Sequence, residues 1–336
     1  MNKYYLYLKN IMNNKINIFE IEKIFKKINN KYKVISVENI DEGRINKLYK
    51  VTAKINEYYK FILKVRSFEN KNFKQGFAIE QYINPLLREI KVYNSPNLYL
   101  SDISHKEFNF DYSILEFIEG KTLDNFNNKN LFFNSGRLLA KIHSIKSNYL
   151  GKITEDKLNI SQVNFYYTNY FNKVINDLSY YDQFLSNKIN LFVKLNFDVY
   201  YYKDLNPVLI HNDFHMKNII VSEDNKLNII DWDCARYAHS ELEFIKFKHL
   251  SPSRNDINPF INLIKGYQTI KELELTPNFF IHELIWFARM YTFEKNNILK
   301  NYEYFPSINY YRNKIIEYCN KKSVYYLYKE LCYELQ

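Results

Sequence analysis

The sequence predicts an α+β protein of two lobes, in which an antiparallel β-sheet lobe with one helix precedes a larger, mainly α-helical lobe. Three observations lead to this class. Segments rich in β-forming residues fill much of the first third of the chain, Gly120 ends that pattern, and apolar residues then recur mostly at helical spacing. We therefore expect a first lobe at residues 1–118 and a second lobe at 119–336.

The first lobe is expected to begin with a helix and continue as a sheet. Turn residues at Asp41–Gly43 and Asn56–Glu57 separate three β-forming segments, which indicates a three-stranded antiparallel meander. A long helix follows and ends before Ser95-Pro96, because the residue before a proline disfavours helical geometry. The expected elements are a short amphipathic helix at 16–28, strands at 33–38, 47–54 and 59–66, a helix at 73–93, and strands at 97–100 and 112–117.

The second lobe is expected to be helical with one exception. Helical spacing of apolar residues predicts a helix at 131–145, two further helices between residues 160 and 195, and more helices from Glu241 onward. At 208–230, two short apolar runs flank the turn Glu223–Lys226, which is typical of a small β-hairpin behind a loop.

Composition indicates the broad class. The chain has 336 residues, of which 46% are hydrophobic, enough for a core in each of two lobes. Its formal charge of +10 comes from lysines spread along the chain, which favours a solvated surface over a nucleic-acid-binding patch. Three scattered cysteines fit neither a disulfide framework nor a zinc site, and no segment is typical of a signal peptide or a membrane span. We expect a cytoplasmic protein that binds neither nucleic acid nor membrane.

The polar loop carries the strongest functional pattern. It reads His211-Asn212-Asp213-Phe214-His215-Met216-Lys217-Asn218, and Ile229-Ile230-Asp231-Trp232-Asp233 follows the hairpin. Phosphoryl transfer requires a group that orients the attacking hydroxyl, and oxygen ligands for the magnesium ion that bridges the phosphates. Asp213 is able to accept the hydroxyl proton, while Asn218 and Asp231 offer an amide and a carboxylate oxygen.

Two other interpretations of this pattern are weaker. An ordinary polar loop would explain the short motif, but not its combination with the apolar lead-in at 208–210, the hairpin and the second acidic pair. A zinc site at His211 and His215 lacks a third nitrogen or sulfur ligand nearby. The loop and hairpin together resemble the aminoglycoside phosphotransferase and choline kinase superfamily, whose members are relatives of the protein kinases.

This resemblance implies a protein-kinase-like two-lobe fold and a role for each polar residue of the loop. Asp213 would be the catalytic base, Asn218 and Asp231 would bind Mg²⁺, and His211 would brace the loop. Asn212 stands where most of these enzymes have glycine, and asparagine also tolerates the unusual backbone angles that glycine supplies.

The same resemblance assigns nucleotide binding to the first lobe. Lys64, on the third predicted strand, would bind the α and β phosphates of ATP or GTP, although a lysine in a strand is more often simply solvated. Its partner would be Glu80 on the next helix, with Glu89 as the alternative.

Two backbone segments complete the implied nucleotide site. The turn within residues 41–49 resembles the one that covers the phosphates, which implies roles for Gly43 and Asn46, and a plain hairpin turn is the alternative. The segment after the last strand resembles the hinge between the lobes. The backbone groups expected to hydrogen-bond the adenine edge are those of Glu116, Phe117 and Ile118.

The second lobe would carry catalysis and the acceptor site. Between Asp233 and Ser240 there is neither a long loop that docks a peptide nor an Ala-Pro-Glu anchor, which favours a small-molecule acceptor over a protein. Ser240 fits the cap of the following helix, with Glu243 at its third position. Trp286 belongs to an aromatic stripe that is typical of a helix core and, alternatively, of a cage for a quaternary amine. The acceptor-binding candidates are Asp233, Glu241, Glu243, Glu283 and Trp286.

The favoured function is an ATP- or GTP-dependent O-phosphotransferase that uses Mg²⁺ and acts on a hydroxyl of a small amine-bearing molecule, such as an aminoglycoside-like antibiotic. One alternative is a metabolic choline, ethanolamine or amino-alcohol kinase. Another is a catalytically silent nucleotide-binding regulator, which would not need the full set of Lys64, Asp213, Asn218 and Asp231. A nucleic-acid-binding protein has only the charge in its favour, and the oligomeric state stays open.

Overall fold

The chain divides into two compact units, Met1–Glu119 and Gly120–Gln336. The structure, a computed structural model, describes residues 16–42, 46–67, 76–89, 94–154, 158–250, 256–296, 307–321 and 323–335. Within these residues, no helix has both the length and the apolar character that a membrane crossing requires.

The first unit is built on one antiparallel sheet. Its strands are β1 (Lys33–Glu42), β2 (Lys47–Lys54), β3 (Tyr58–Ser67), β4 (Leu98–Asp102) and β5 (Phe110–Glu116), and its helices are α1 (Ile18–Ile28) and α2 (Gly76–Glu89). The strands lie in the order β1-β2-β3-β5-β4. The predicted meander is confirmed, and both predicted helices are present, although residues 73–75 and 90–93 of the second lie outside the described residues.

The part of strand β3 from Phe61 to Arg66 is covered on both faces of the sheet. Because side chains alternate along a strand, Phe61, Leu63 and Val65 share one face and join a core cluster with the buried side of α1. Lys64 and Arg66 share the other face and are 3% and 2% exposed. Two cations are therefore placed on a covered face of the sheet.

The second unit is mainly helical, as predicted. Its helices are α3 (Lys129–Ile142), α4 (Val163–Ser179), α5 (Gln183–Asn196), α6 (Phe244–His249), α7 (Asn258–Gln268), α8 (Asn278–Lys295), α9 (Ile308–Cys319) and α10 (Val324–Glu334). Its strands are β6 (Lys121–Thr122), β7 (Tyr149–Lys152), β8 (Leu158–Asn159), β9 (Val208–Ile210), β10 (Ile219–Val221), β11 (Leu227–Ile229) and β12 (Arg236–Ala238). The α+β class is confirmed. The sequence did not reveal β6, β7, β8 or β12, because such short strands have no measurable period.

The polar loop at 211–218 connects two different sheets. Strand β9 ends the sheet ordered β8-β7-β12-β9, whereas β10 and β11 form the predicted hairpin in the sheet ordered β11-β10-β6. In the hairpin Ile219 pairs with Ile229, and the N–H of Ile230 donates to the carbonyl of Asn218 at 3.0 Å. This register brings Asn218 and Asp231 to the same end of the hairpin.

Helices α3 and α7 approach each other closely at two glycines. A Cβ atom at Gly136 would lie 1.8 Å from the carbonyl oxygen of Leu263, and one at Gly266 would lie 1.8 Å from that of Phe133. Glycine is the least favourable helix residue apart from proline, so its presence here is explained by the packing of the two backbones.

Candidate active site

His211 holds the polar loop from within and is fully buried. Its Nε2–H donates to the carbonyl of Ile230 at 2.9 Å, and its Nδ1 accepts the N–H of Asp213 at 3.2 Å. These two bonds suit a neutral ring protonated at Nε2. Burial lowers the pKa of His211 despite the nearby carboxylates of Glu243 and Asp213, so the ring stays neutral. The geometry supports the bracing role that the resemblance implies.

Glu243 fixes the backbone of the same loop. Its carboxylate accepts the N–H of Asn212 at 2.8 Å and also the N–H of His211. Asn212 has a φ of 62°, in the left-handed region that glycine enters most easily and asparagine tolerates. Asn212 therefore fits a position where the resembling enzymes have glycine.

Three polar side chains lie around the carboxylate of Asp213. Lys246 contacts its Oδ1, and Asn218 Nδ2 donates to its Oδ2 at 3.1 Å and to its backbone carbonyl at 3.0 Å. His215 Nε2 lies 3.8 Å from Oδ1. Burial by itself would raise the pKa of Asp213, but Lys246 and His215 hold that pKa well below its usual range. The carboxylate is therefore ionised at neutral pH.

Asn218 and Asp231 have the chemistry that Mg²⁺ requires. Because the amide nitrogen of Asn218 is turned toward Asp213, its oxygen Oδ1 is the end left for a cation. Asp231 is exposed and has φ and ψ of 62°, a left-handed conformation that costs roughly 1–2 kcal/mol for a residue with a Cβ. Such conformations concentrate at functional sites. An amide and a carboxylate oxygen at one hairpin end fit a hard cation.

Lys64 and Glu80 form a buried ion pair in the first unit. Lys64 Nζ lies 2.9 Å from Glu80 Oε1, and the two side chains are 4% and 6% exposed. The hydroxyl of Ser113 donates to the other carboxylate oxygen at 3.4 Å. Glu89, the alternative partner, is exposed at the end of α2. The pair connects β3 to α2, and nucleotide binding by Lys64 stays a prediction.

Arg66, which the sequence did not single out, lies on the same face of β3 as Lys64. Its Nε donates to Asn46 Oδ1 at 2.9 Å, and its guanidinium carbon lies 4.7 Å from the ring centroid of Phe77. Asn46, predicted to belong to the phosphate-covering turn, is thus tied to the strand that carries Lys64. Gly43 lies outside the described residues.

Among the described residues, the predicted hinge segment has one backbone N–H without a protein partner. The N–H of Glu116 donates to the carbonyl of Asn97 at 2.8 Å, and that of Phe117 to the carbonyl of Lys60 at 3.4 Å. The N–H of Ile118 makes no hydrogen bond with the part of the chain that the structure describes. Of the three predicted residues, Ile118 is therefore the one whose N–H is available to a ligand.

Glu241 lies in the helical core, contrary to its predicted place at the acceptor. It is fully buried, and its carboxylate accepts the N–H and the hydroxyl of Thr276 at 2.9 Å each and the hydroxyl of Tyr202 at 2.5 Å. Both oxygens are engaged with the protein. The expectation of acceptor contact is corrected, because a residue type alone does not report burial.

Glu283 needs the same correction. It is fully buried on α8, a helix with buried residues on nearly all sides. Both of its oxygens have protein partners, so no carboxylate surface remains for an acceptor. The partners are Lys248, His249 and Tyr318.

The other acceptor candidates have different positions. Glu243 is 2% exposed, and its carboxylate holds the backbone of the polar loop. The predicted helix capped by Ser240 is wrong, because Ser240 begins a 3₁₀ turn, Ser240–Glu243, and makes no side-chain cap bond. Asp233 is half-buried in the 3₁₀ turn directly after Asp231. Trp286 is 6% exposed and belongs to the core of α8, as the simpler interpretation of its aromatic stripe predicts.

Lys246 is the residue of this site that the sequence reasoning missed. It lies on α6, three positions after Glu243, so both side chains reach the polar loop from the same side of one helical turn. The i, i+3 spacing of the two charges was the available signal. The same spacing is also typical of a solvated helix surface, because nothing local shows that a helix faces a loop 33 residues away.

A model of one protein family matches most of the chain. The family is described as the phosphotransferase enzyme family, and the match spans residues 36–276. This range contains strand β3 with Lys64, the polar loop with Asp213, and Asp231. No curated protein sequence matches the chain.

Solved structures share the fold at low sequence identity. The gentamicin complex of APH(2″)-IIa has a TM-score of 0.57 at 14% identity, with 90% of this chain and 96% of that chain covered. The choline kinase LicA from Streptococcus pneumoniae has a TM-score of 0.59 at 18% identity, with 89% and 98% covered. Spectinomycin phosphotransferase APH(9)-Ia, solved with ADP and spectinomycin, has a TM-score of 0.52 at 16% identity, with 87% and 90% covered. The predicted kinase-like fold class is confirmed by these similarities.

Proposed function

The chain belongs to the phosphotransferase enzyme family, and from that premise we propose that it transfers the γ-phosphate of ATP or GTP to a hydroxyl group of a small molecule. The observation that carries this proposal is the state of Asp213. Lys246 and His215 keep its carboxylate ionised, and Asn218 donates a hydrogen bond to it. His211 and Glu243 fix the backbone of the same loop. To orient a hydroxyl group, an enzyme needs an anionic hydrogen-bond acceptor that is held in a fixed position.

The proposed reaction assigns one task to Asp213. Its carboxylate accepts a hydrogen bond from the acceptor hydroxyl, whose oxygen forms a bond to the γ-phosphorus. The bond between that phosphorus and the bridging oxygen breaks, and ADP or GDP leaves with its electron pair. The hydroxyl proton passes to Asp213 and then to solvent. Because a low pKa makes this carboxylate a weak base, orientation is its main contribution and proton transfer comes late.

For nucleotide binding we propose the residues of the first unit. Burial and Glu80 fix the ammonium of Lys64, which suits it to the α and β phosphates, and Ile118 offers its N–H to the adenine edge. The similar structures of APH(9)-Ia with ADP and of LicA with AMP support a nucleotide substrate. Asn218 and Asp231 would hold Mg²⁺, which when bound neutralises charge on the phosphate oxygens.

The acceptor that we propose is an amine-bearing alcohol, with an aminoglycoside-like antibiotic as the first candidate. Structures with gentamicin and with spectinomycin support it. A choline or amino-alcohol kinase is the second candidate, because the choline kinase LicA is equally similar in fold. The short segment between Asp233 and Ser240 supports a small molecule over a protein. A kinase of this kind acts where ATP is made, so we propose that it works in the cytoplasm.

A transfer screen tests this proposal. The protein would be incubated with γ-³²P-labelled ATP or GTP and with aminoglycosides, macrolides, peptide antibiotics, choline and amino sugars, in Mg²⁺ and in EDTA. The expected result is a labelled small molecule that forms only with Mg²⁺. Binding of the Mg-nucleotide without transfer to any acceptor would support the silent regulator instead, and strong labelling of added proteins would contradict a small-molecule acceptor.

A further inference from the structure

A small cavity of about 40 Å³ lies in the second unit beside the polar loop. A single water needs roughly 10–15 Å³ of such space, so the cavity holds a few waters or one small polar group. The lining residues that bear on binding are Asn212, Glu243, Lys246, His282, Trp286 and Arg289. The last three are spaced i, i+4 and i+7 on α8, which places them on one face of the helix.

This cavity adjoins the predicted catalytic carboxylate. Lys246 lines it and also contacts Asp213, and Asn212 precedes Asp213 in the chain. A group bound in the cavity would therefore lie close to Asp213.

Arg289 supplies a positive charge to the cavity. Lys246 is paired with Asp213, and the oxygens of Glu243 accept backbone N–H groups. Arg289, in contrast, forms no ion pair and no hydrogen bond with any residue that the structure describes. Its guanidinium carbon lies 4.9 Å from the ring centroid of Phe293. A cation–π contact of this kind restrains the guanidinium group, whose N–H groups are suited to bind an oxyanion.

Trp286 contributes a second unsatisfied donor. The side chain is 6% exposed, and its buried Nε1–H has no hydrogen-bond partner in the described structure. A buried donor without a partner is energetically unfavourable, and a hydrogen bond to a ligand would remove that cost. Indole nitrogen only donates, so the complementary ligand atom must be an acceptor.

We infer that this cavity binds an anionic oxygen group of the acceptor molecule, of the size of a carboxylate, with Arg289 as its ion-pair partner and Trp286 as a hydrogen-bond donor. The inference rests on the proposed function and narrows it: the amine-bearing alcohol also carries a carboxylate, as a hydroxylated amino acid does. An acceptor with ammonium groups alone leaves both donors unsatisfied.

The indole N–H of Trp286 is a direct probe, because the chain has only two tryptophans. Protein labelled with ¹⁵N-tryptophan would be titrated with acetate, and with acetamide and methylammonium as neutral and cationic controls. The resonance of Trp286, identified by Trp286→Phe, should shift saturably with acetate alone, while that of Trp232 should not. No saturable shift, or an equal shift with methylammonium, overturns the inference.

Variants of Arg289 test whether this residue is the ion-pair partner of the bound anion. Arg289→Gln should weaken the acetate response at least tenfold, Arg289→Lys should restore part of it, and Arg312→Gln, at an exposed arginine, should not change it. An unchanged response in Arg289→Gln overturns the inference, provided thermal unfolding shows that the variant is folded. Acetate binding needs no nucleotide, so the two tests are independent. A negative acetate titration does not contradict the proposed phosphotransferase function, and a negative transfer screen does not contradict acetate binding.

Discussion

The ammonium group of Lys246 lies against the carboxylate of Asp213, the residue predicted to orient the acceptor hydroxyl. The same ammonium donates to the backbone carbonyl of Asn212 at 2.9 Å, so one side chain fixes both the charge and the backbone of the loop. Burial acts on Asp213 in the opposite direction, toward a higher pKa. The protonation state of Asp213 therefore depends on Lys246.

Lys246→Met should slow the reaction and change its pH dependence. Without the cation, burial remains and the pKa of Asp213 rises, so the ionised form is lost at a higher pH than in the wild type. A charge-assisted hydrogen bond contributes about 1.5–3 kcal/mol, so kcat/KM at pH 7 should fall roughly 10- to 100-fold. Profiles of kcat/KM from pH 5 to 9 measure both effects.

Lys265→Met is the matched control for that change, because Lys265 is an exposed lysine on α7. Its profile should match that of the wild type. An unchanged acidic limb in Lys246→Met would show that Lys246 does not set the protonation state of Asp213.

Glu80→Gln should destabilise the first unit. The substitution removes the negative charge of Glu80 from its buried ion pair with Lys64, and breaking one partner of a buried pair costs about 3–5 kcal/mol. Denaturant unfolding measures the loss, and the apparent affinity for the nucleotide should weaken with it. Glu89→Gln, on the exposed end of the same helix, should change the free energy of unfolding by less than about 0.5 kcal/mol. Equal effects of the two substitutions would contradict the role of the pair.

Glu241 makes the free energy of unfolding depend on pH. Burial raises its pKa from 4.5 to about 7, against the hydrogen bonds from Tyr202 and Thr276. Between pH 4.5 and about 7, the carboxyl group of Glu241 is therefore protonated in the folded chain and ionised in the unfolded chain. Its contribution to the free energy of unfolding is complete below pH 4.5 and is lost as the pH rises to about 7. Glu241→Gln should remove this dependence.

Urea unfolding of Glu241→Gln and of the wild type at several pH values between 4.5 and 8 is the measurement. The unfolding free energy of the wild type should fall relative to that of the variant as the pH rises, by on the order of 3 kcal/mol. The difference should become constant above pH 7. The same substitution at Glu272, which is exposed, should give a difference that does not vary with pH. A constant difference at Glu241 would show that its carboxyl group titrates normally.

Gly136→Ala should destabilise the second unit, although alanine is the better helix former by about 1 kcal/mol. The added Cβ would lie 1.8 Å from the carbonyl oxygen of Leu263, so the two helices must separate. We expect a loss of at least about 1–3 kcal/mol in thermal or urea unfolding. Asn134→Ala, on the exposed side of α3, should be neutral or stabilising. Stabilisation by Gly136→Ala would contradict the close approach of α3 and α7.

Features formed by residues close together in the sequence were predictable, whereas contacts between distant residues were not. The loop at 211–218 and the hairpin after it were predictable because the residues that form them are contiguous and their turn has a distinct composition. Lys246 on α6 and Glu243 in the 3₁₀ turn before it reach that loop from about thirty residues away. At that distance along the sequence, a charge that contacts the loop cannot be distinguished from a surface charge.

The burial of individual polar residues was the second property that could not be predicted from the sequence. Glu241 and Glu283 were expected at the acceptor because they are acidic and lie in the right lobe. Their carboxylates instead satisfy hydrogen bonds inside the core, where only tertiary packing determines which polar groups meet. Arg66 was missed for the same reason, since a strand cation two residues after Lys64 is usually solvated.

The most direct test of the central claim is turnover by Asp213→Asn, measured with the best acceptor from the transfer screen, alongside calorimetric binding of Mg-ATP. The variant keeps the size of the side chain and loses the charge that orients the hydroxyl and receives its proton. We predict that kcat falls by at least a thousandfold while the affinity for Mg-ATP stays within about threefold of the wild type. Turnover within tenfold of the wild type would show that Asp213 is not the catalytic carboxylate.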